Sequence, residues 1–322
     1  MDLNDIRALV REDLEQLDKT IHDRLASDVV LVNQVAHYIV GGGGKRLRPL
    51  LVLIAAKACG YRGMHHVDAA AIVEFIHTAT LLHDDVVDGS DRRRGRDTVN
   101  TVFGNQASVL VGDFLYSRSF EMMVDIGEMR IMDVMAGATN NIAEGEVLQL
   151  MNIQDPDTSE ACYREVIYRK TARLFEAGAQ VAAILSGMNG SREAALVAYG
   201  RHLGTAFQLV DDALDYSASA EELGKNIGDD LAEGKPTLPL IYAMQKGTPA
   251  EARLIREAIE NGGRDQIGAI MRAIESTGAL EYTARSAEKE AAAAVGALAE
   301  IPDSDYKSAL EGLARFAVAR RH

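Results

Sequence analysis

Apolar residues recur along this chain at helical spacing, in long runs set apart by glycine. Leu50 to Cys59 reads LLVLIAAKAC and follows Pro49, a residue suited to the first turn of a helix. The run from Val67 through Asp88 predicts a single helix about 33 Å long at ~1.5 Å per residue. Further helices are predicted over Ala107 to Met123, Ile131 to Leu150, Ser159 to Leu185 and Arg192 to Tyr216. Thr237 to Gln245, Pro249 to Asn261, Gln266 to Thr277 and Leu280 to Leu298 complete the series. Turns are marked by Gly41 to Gly44, Gly60, Gly63, Gly187, Gly190, Gly247, Gly262 and Gly263. No stretch alternates apolar and polar residues between hairpin turns, so no buried strand is expected. The pattern predicts an all-α fold, one domain over residues 1–322, built from ten or more helices.

Composition sharpens this picture. Aromatic residues make up 5% of the chain, so the core must be built from Leu, Ile, Val, Ala and Met, which suits close helix packing. Acidic residues outnumber basic ones 48 to 34, a net charge of -14. Such a balance argues against a nucleic-acid partner, whose affinity grows with basic contacts to phosphate. It also argues against a resting place on anionic lipid. Two cysteines, Cys59 and Cys162, are too few for a disulfide framework and point to a reducing compartment. Met1 to Asp28 mixes acids and bases without an apolar core, unlike an export signal. The uncharged stretches Thr98 to Gly112 and Ala177 to Ser191 fall short of the ~20 apolar residues a bilayer span needs. A cytoplasmic protein with no membrane span is the expectation.

The chemistry is carried by a pattern that occurs twice. HDDVVD contains Asp84, Asp85 and Asp88; VDDALDY contains Asp211, Asp212 and Asp215. Residues four apart share a helix face, so each motif stacks two carboxylates, and like charges at that spacing destabilise a helix unless a cation compensates them. One such cluster is ordinary solvated surface. Two with one spacing, each after an apolar stretch, point to divalent metal, with all six aspartates as candidate ligands. Oxygen-only ligands favour Mg²⁺, with Mn²⁺ as a substitute. Because Mg²⁺ typically uses one or two carboxylates plus substrate phosphates, a phosphorylated substrate is implied.

The basic residues fit that substrate. Lys45, Arg46 and Arg48 follow four glycines in GGGGKRLRP, and Arg92, Arg93 and Arg94 follow the first acidic cluster. Lys170 and Thr171 lie in YRKTARLF, and Lys225 and Lys235 flank the acidic segment in GKNIGDDLAEGKP. The glycine run lacks the spacing of a nucleotide-binding loop.

Taken together, these motifs resemble the trans-polyprenyl diphosphate synthase family over essentially the whole chain. FIHTATLLHDDVVD and GTAFQLVDDALDY look like its two aspartate-rich motifs; GGGGKRLRP and DRRRG look like its diphosphate-binding motifs. The resemblance implies an isoprenoid-synthase-type helical bundle around a central cavity. It places Lys45, Arg48, His77 and Arg94 around isopentenyl diphosphate. Arg93, Lys170, Thr171, Gln208, Lys225 and Lys235 would meet the allylic diphosphate, with farnesyl diphosphate as the expected primer. Asp84, Asp88, Asp211, Lys170 and Lys235 would be catalytic, with up to three Mg²⁺ ions. A homodimer is implied, with Ala107 to Met123 and Ile131 to Leu150 as interface helices.

The implied reaction turns on charge. Diphosphate leaves the allylic carbon as negative charge grows on it, the double bond of isopentenyl diphosphate attacks, and the departing diphosphate takes the proton. Water must be kept out, and the glycine- and charge-rich Lys225 to Lys235 segment is the candidate lid. A terpene cyclase would not need the second diphosphate pocket that Lys45, Arg48 and Arg94 supply. A non-catalytic partner subunit would lack one or both acidic clusters.

Product length should depend on side-chain volume below Asp84. Thr80 and Ala79 lie four and five residues before it, small where short-chain family members commonly carry an aromatic floor. Met123 and Met135 are candidates for a deeper floor, since methionine fills irregular apolar space. A C40 product for a quinone side chain is favoured, with C20 or C45 to C50 as the alternatives. Ala79→Tyr is accordingly expected to stop the product at C15 to C20, because overpacking is not easily relieved. The product mass distribution at matched conversion checks this; undiminished C40 output would place the tail along another face.

Overall fold

A computed structural model describes residues 1–40, 44–93, 95–217 and 228–319. Among these there are seventeen α-helices, and the only sheet is a two-residue hairpin ladder, Arg92–Arg93 against Arg96–Asp97. The fold is therefore all-α, as the hydrophobic pattern predicts. No described helix is long and apolar enough to cross a membrane.

The chain forms two compact units. The first comprises Met1–Thr139, Leu174–Gly200 and Ala297–Leu313. Its central element is the helix His65–Val87, 23 residues long, which starts two residues before the predicted run and buries Val67, Ile72, Val73, Phe75, Ile76 and Ala79. The helix Leu47–Ala58 is buried almost throughout, from Pro49 to Ala56. Glycine sets one close approach here: a Cβ at Gly178 would lie 3.0 Å from Val52 Cγ2 and 3.6 Å from Val73 Cγ2. Another occurs at Gly200, where a Cβ would lie 2.6 Å from the Phe175 carbonyl oxygen. The buried Tyr199 hydroxyl donates to the Leu310 carbonyl at 2.6 Å, so its one polar atom is satisfied inside this core.

The second unit comprises Asn140–Arg173, Arg201–Gly296 and Ala314–His322. One of its cores gathers Leu231, Leu240, Ile255, Ile259, Ile270 and Ile274. Another packs Tyr163 and Ile167 against Leu209, Leu238, Ile241 and Ala287. The capping signals here are clear. Thr248 and Glu251 form a reciprocal box at the start of Pro249–Asn261, and Gly262 ends that helix with φ +71°.

Two differences from the sequence expectation matter. The predicted Ser159 to Leu185 helix is three segments: Glu160–Ile167, a π-helical turn Tyr168–Ala172, and Arg173–Leu185. Helical periodicity alone cannot reveal that turn, because it inserts one extra residue while both flanks keep their helical pattern. The helices Leu3–Leu9, Arg11–Leu25, Val30–Val40 and Asp305–Ala319 were not predicted. A signal was present in Arg11–Leu25, where Leu17, Ile21 and Leu25 recur every fourth residue and are buried, amid a charge-rich surface.

Candidate functional site

In the first unit, the acidic cluster closes the helix His65–Val87. Asp88 is its C-cap, with its backbone N–H donating to the Asp84 carbonyl at 2.8 Å. Three carboxylates therefore sit at the negative end of a helix dipole, where anions are disfavoured. Asp84 and Asp88 are partly exposed, whereas Asp85 is buried. The hairpin that follows supplies its partner: Arg93 Nε donates to Asp85 Oδ1 at 2.7 Å. Burial pushes the Asp85 carboxyl up from its ordinary value, and the Arg93 guanidinium pulls it back. The loop is tied to the helix end, with Asn100 Nδ2 donating to the carbonyls of Asp85 and Ser90 at 3.3 and 3.2 Å.

Arg48 and His77 are brought together as the sequence suggests. An Arg48 terminal nitrogen lies 3.1 Å from His77 Nε2, and the guanidinium stacks 4.5 Å over the Phe175 ring. Since a guanidinium can only donate, Nε2 accepts and the ring proton sits on Nδ1. In this arrangement His77 steadies Arg48. Lys45 is exposed, and its carbonyl accepts from Arg7 at 2.8 Å. Arg94 lies outside the described residues. A cavity of about 130 Å³ opens beside this helix, with His77, Asp85 and Arg93 on its polar side and Ile21, Leu25 and Leu115 on its apolar side. Ala79, Met123 and Met135 are buried, and the Thr80 hydroxyl donates to the His77 carbonyl at 2.8 Å; none of the four lines this cavity.

In the second unit, the helix Gly190–Leu214 ends in the other cluster. Asp211 is partly exposed, while Asp212 and Asp215 are buried. The Asp230 N–H donates to Asp215 Oδ2 at 3.1 Å, and the Gly228 N–H donates to the Asp215 carbonyl at 2.9 Å. Asp212 receives Tyr163 Oη at 2.5 Å and Gln208 Nε2 at 2.7 Å, one on each oxygen. Burial, with Asp230 as the next influence, pushes its carboxyl up to about 7 against the pull of those two donors. The Thr171 hydroxyl donates to Gln208 Oε1 at 2.9 Å.

Lys170 sits on the π turn, closed by the Arg173 N–H donating to the Tyr168 carbonyl. Its ammonium donates to Glu146 Oε2 at 2.6 Å and Gln149 Oε1 at 2.8 Å. Buried Lys235 pairs with Glu233 at 2.5 Å, and its backbone N–H donates to the Asp230 carbonyl at 2.8 Å. Lys225 lies outside the described residues.

Among the described residues, no three His, Cys, Asp or Glu side chains are grouped as a closed metal cage would require. The first cluster instead offers two partly exposed carboxylates, Asp84 and Asp88, and the second offers Asp211, and each holds its middle aspartate by protein donors. That donor set fits Mg²⁺ completed by substrate phosphate better than a structural ion. Sequence reasoning missed Tyr163, Glu146 and Gln149, because their partners are distant in sequence and none of the three lies in a motif of its own.

Comparison with known proteins bears on the same residues. The polyprenyl synthetase family model matches residues 29–276. The chain belongs to that family. It is a prenyltransferase of the trans-polyprenyl diphosphate synthase kind, joining isopentenyl diphosphate to an allylic diphosphate. An octaprenyl diphosphate synthase from Escherichia coli (strain K12) is 56% identical over 321 residues, 99% of either chain. A geranyl-diphosphate-specific all-trans-nonaprenyl-diphosphate synthase from Rhodobacter capsulatus is 47% identical over 98% of this chain and 97% of its own. The crystal structure of a polyprenyl synthase from Caulobacter crescentus CB15, complexed with calcium and isoprenyl diphosphate, superposes with a TM-score of 0.96. It is 45% identical and the match covers 100% of this chain and 98% of that one.

The π turn makes one position of this synthase unusually sensitive. A Cβ at Gly145 would lie 2.8 Å from both Arg169 Cβ and the Lys170 backbone nitrogen. Gly145→Ala should push the turn away and displace Lys170 and Thr171 together. The expected outcome is at least a tenfold loss of kcat/KM for the allylic substrate, about 1.4 kcal/mol, with the helical circular-dichroism spectrum retained. Steady-state kinetics with the allylic diphosphate varied checks it.

Proposed function

We propose that this polyprenyl synthetase is an all-trans-octaprenyl diphosphate synthase. It adds isopentenyl diphosphate in successive 1'-4 condensations to farnesyl diphosphate until the chain reaches C40, as a quinone side chain. The reading is carried by the 56% identity to the Escherichia coli octaprenyl enzyme across 99% of the chain. Small Ala79 and Thr80 before the first cluster support a product beyond C20. The Rhodobacter capsulatus nonaprenyl relative favours C45 as the second reading.

Asp84 and Asp88, and Asp211 with Asp215, hold Mg²⁺ in this proposal, with Mn²⁺ as a substitute. When bound, the metal neutralises the charge that grows on departing diphosphate. Arg48, steadied by His77 and Phe175, binds isopentenyl diphosphate with Lys45 and Arg94. Lys170, Lys225 and Lys235 take the outer oxygens of the allylic diphosphate. Arg93 neutralises buried Asp85, and Thr171 and Gln208 hold Asp212, so these residues order the acidic clusters. No side-chain base is required, because the released diphosphate accepts the proton. We place the enzyme in the cytoplasm.

Two exposed apolar surfaces support a homodimer. In the first unit, Leu110 and Val124 on the helix Asn105–Ile126 are 65% and 67% exposed. In the second, Leu150 and Met151 at the end of Met129–Asn152 are 58% and 74% exposed. A stable C2 pair should bury more than ~1,200 Å². Light scattering is expected to give about twice the 34.8 kDa of the chain; a stable monomer mass would overturn this part of the proposal.

The activity is tested with farnesyl diphosphate, labelled isopentenyl diphosphate and Mg²⁺, followed by mass analysis of the product. C40 is expected, and a dominant C20, C45 or C50 product would overturn the assigned length. Asp84→Ala and Asp211→Ala should each lose about 10²–10³-fold in kcat, or ~3–4 kcal/mol, while remaining folded. Near-normal turnover by either would reject its role at the metal.

A further inference from the structure

Tyr163, Asp212, Gln208 and Thr171 form a closed circuit within the second unit. Tyr163 lies on the helix Glu160–Ile167, which runs on into the π turn that carries Thr171. Thr171 donates to Gln208, Gln208 donates to Asp212, and Tyr163 donates to the other oxygen of Asp212. The chain from Tyr163 to Thr171 completes the ring. Asp212 is thus pinned from two directions by groups on two segments, and all of its partners are buried or partly buried.

Pinning Asp212 has a consequence for its neighbour. Successive residues on a helix point about 100° apart, so fixing the direction of one carboxylate fixes that of the next. With Asp212 turned into the core, Asp211 is turned toward the surface, where it is partly exposed. A buried carboxylate that loses one of its donors is strongly penalised and must rotate, protonate or admit water. Any of these would release the last turn of Gly190–Leu214 and with it the direction of Asp211.

We infer that Tyr163 is a positioning residue for the second aspartate cluster, acting through Oδ2 of Asp212, with Gln208 on Oδ1, to fix how Asp211 is presented. The inference rests on the proposed role of Asp211 as a metal ligand. It assigns Asp212 to holding the cluster in place and gives the phenol, which no motif singles out, a task in metal binding. A neutral hydroxyl suits this position: it satisfies the carboxylate without adding a cation that would compete with metal for the charge of Asp211.

The test is Mn²⁺ binding in the presence of inorganic diphosphate, followed by electron paramagnetic resonance, with circular dichroism as the check on folding. Tyr163→Phe should weaken Mn²⁺ binding about tenfold, the size typical of losing a group that orients a metal ligand. It should also raise the Mg²⁺ concentration for half-maximal activity while leaving KM for isopentenyl diphosphate unchanged. Asp212→Asn should behave alike, and the double variant should be no worse than either single one, since both break the same link. A Tyr163→Phe protein that loses thermal stability yet keeps wild-type Mn²⁺ affinity would overturn the proposal, as would additive effects in the double variant. If Tyr163→Phe does not fold, wild-type Mn²⁺ affinity in Asp212→Asn overturns it alone. Asp211→Ala separates the two levels. Unchanged Mn²⁺ binding there would overturn the metal reading and this inference together. Weakened binding there, with wild-type binding in Tyr163→Phe, would overturn the positioning role only.

Discussion

Repulsion among stacked carboxylates at helix C-termini is the constraint on which the rest of this molecule depends. Asp84 and Asp88 close one long helix, and Asp211 and Asp215 close another. Each pair opposes both its own partner and the dipole of the helix that carries it. A chain selected for stability alone would put lysine or arginine there. The acids are retained at the ends of long, deeply buried helices, whose apolar packing can hold such an end in place. The burial of His65–Val87 and of Leu47–Ala58 is therefore part of the chemistry.

Much of this was legible in the sequence because helices built from Ala, Leu, Ile and Val keep strict periodicity, and because the acidic motif repeats with one spacing. Arg48 and His77 could be grouped, and the structure sets them 3.1 Å apart. That the two side chains bond to each other was not legible: the geometry brings them together, and His77 then accepts because a guanidinium can only donate. Nor could spacing show that Asp85 and Asp212 differ from their neighbours. On a helix the second aspartate points about 100° away from the first, but whether that direction meets solvent or core depends on elements far along the chain. The π turn was hidden for a related reason, since hydrogen-bond register leaves little trace in composition.

That turn also explains why one glycine and two lysine partners belong to the same local problem. An extra residue at Tyr168–Ala172 widens the helix just where Lys170 and Thr171 must project. Widening needs room, which Gly145 supplies by having no Cβ. On the same helix, Glu146, next to Gly145, and Gln149, one turn further on, then receive the Lys170 ammonium. A lysine held by two acceptors in a partly buried site loses less entropy on meeting an anion than one free in solvent.

The two clusters solve the same repulsion by different means. In the first, the buried aspartate is met by a guanidinium, so one of three charges is cancelled inside the protein. In the second, Asp212 is met, among the described residues, by a phenol and an amide, neutral donors that satisfy its two oxygens. Neutral donors cannot lower the local potential as Arg93 does, and the carboxyl of Asp212 is accordingly driven up to about 7, chiefly by burial and then by Asp230. The middle aspartate of the second cluster therefore rests on neutral donors where that of the first rests on a cation. Its geometry must be held by hydrogen bonds rather than by charge pairing, and hydrogen bonds are directional where a salt bridge is not. Held in this way, Asp211 keeps a fixed direction with neutral donors on Asp212 beside it, an arrangement that an arginine at the position of Tyr163 would change.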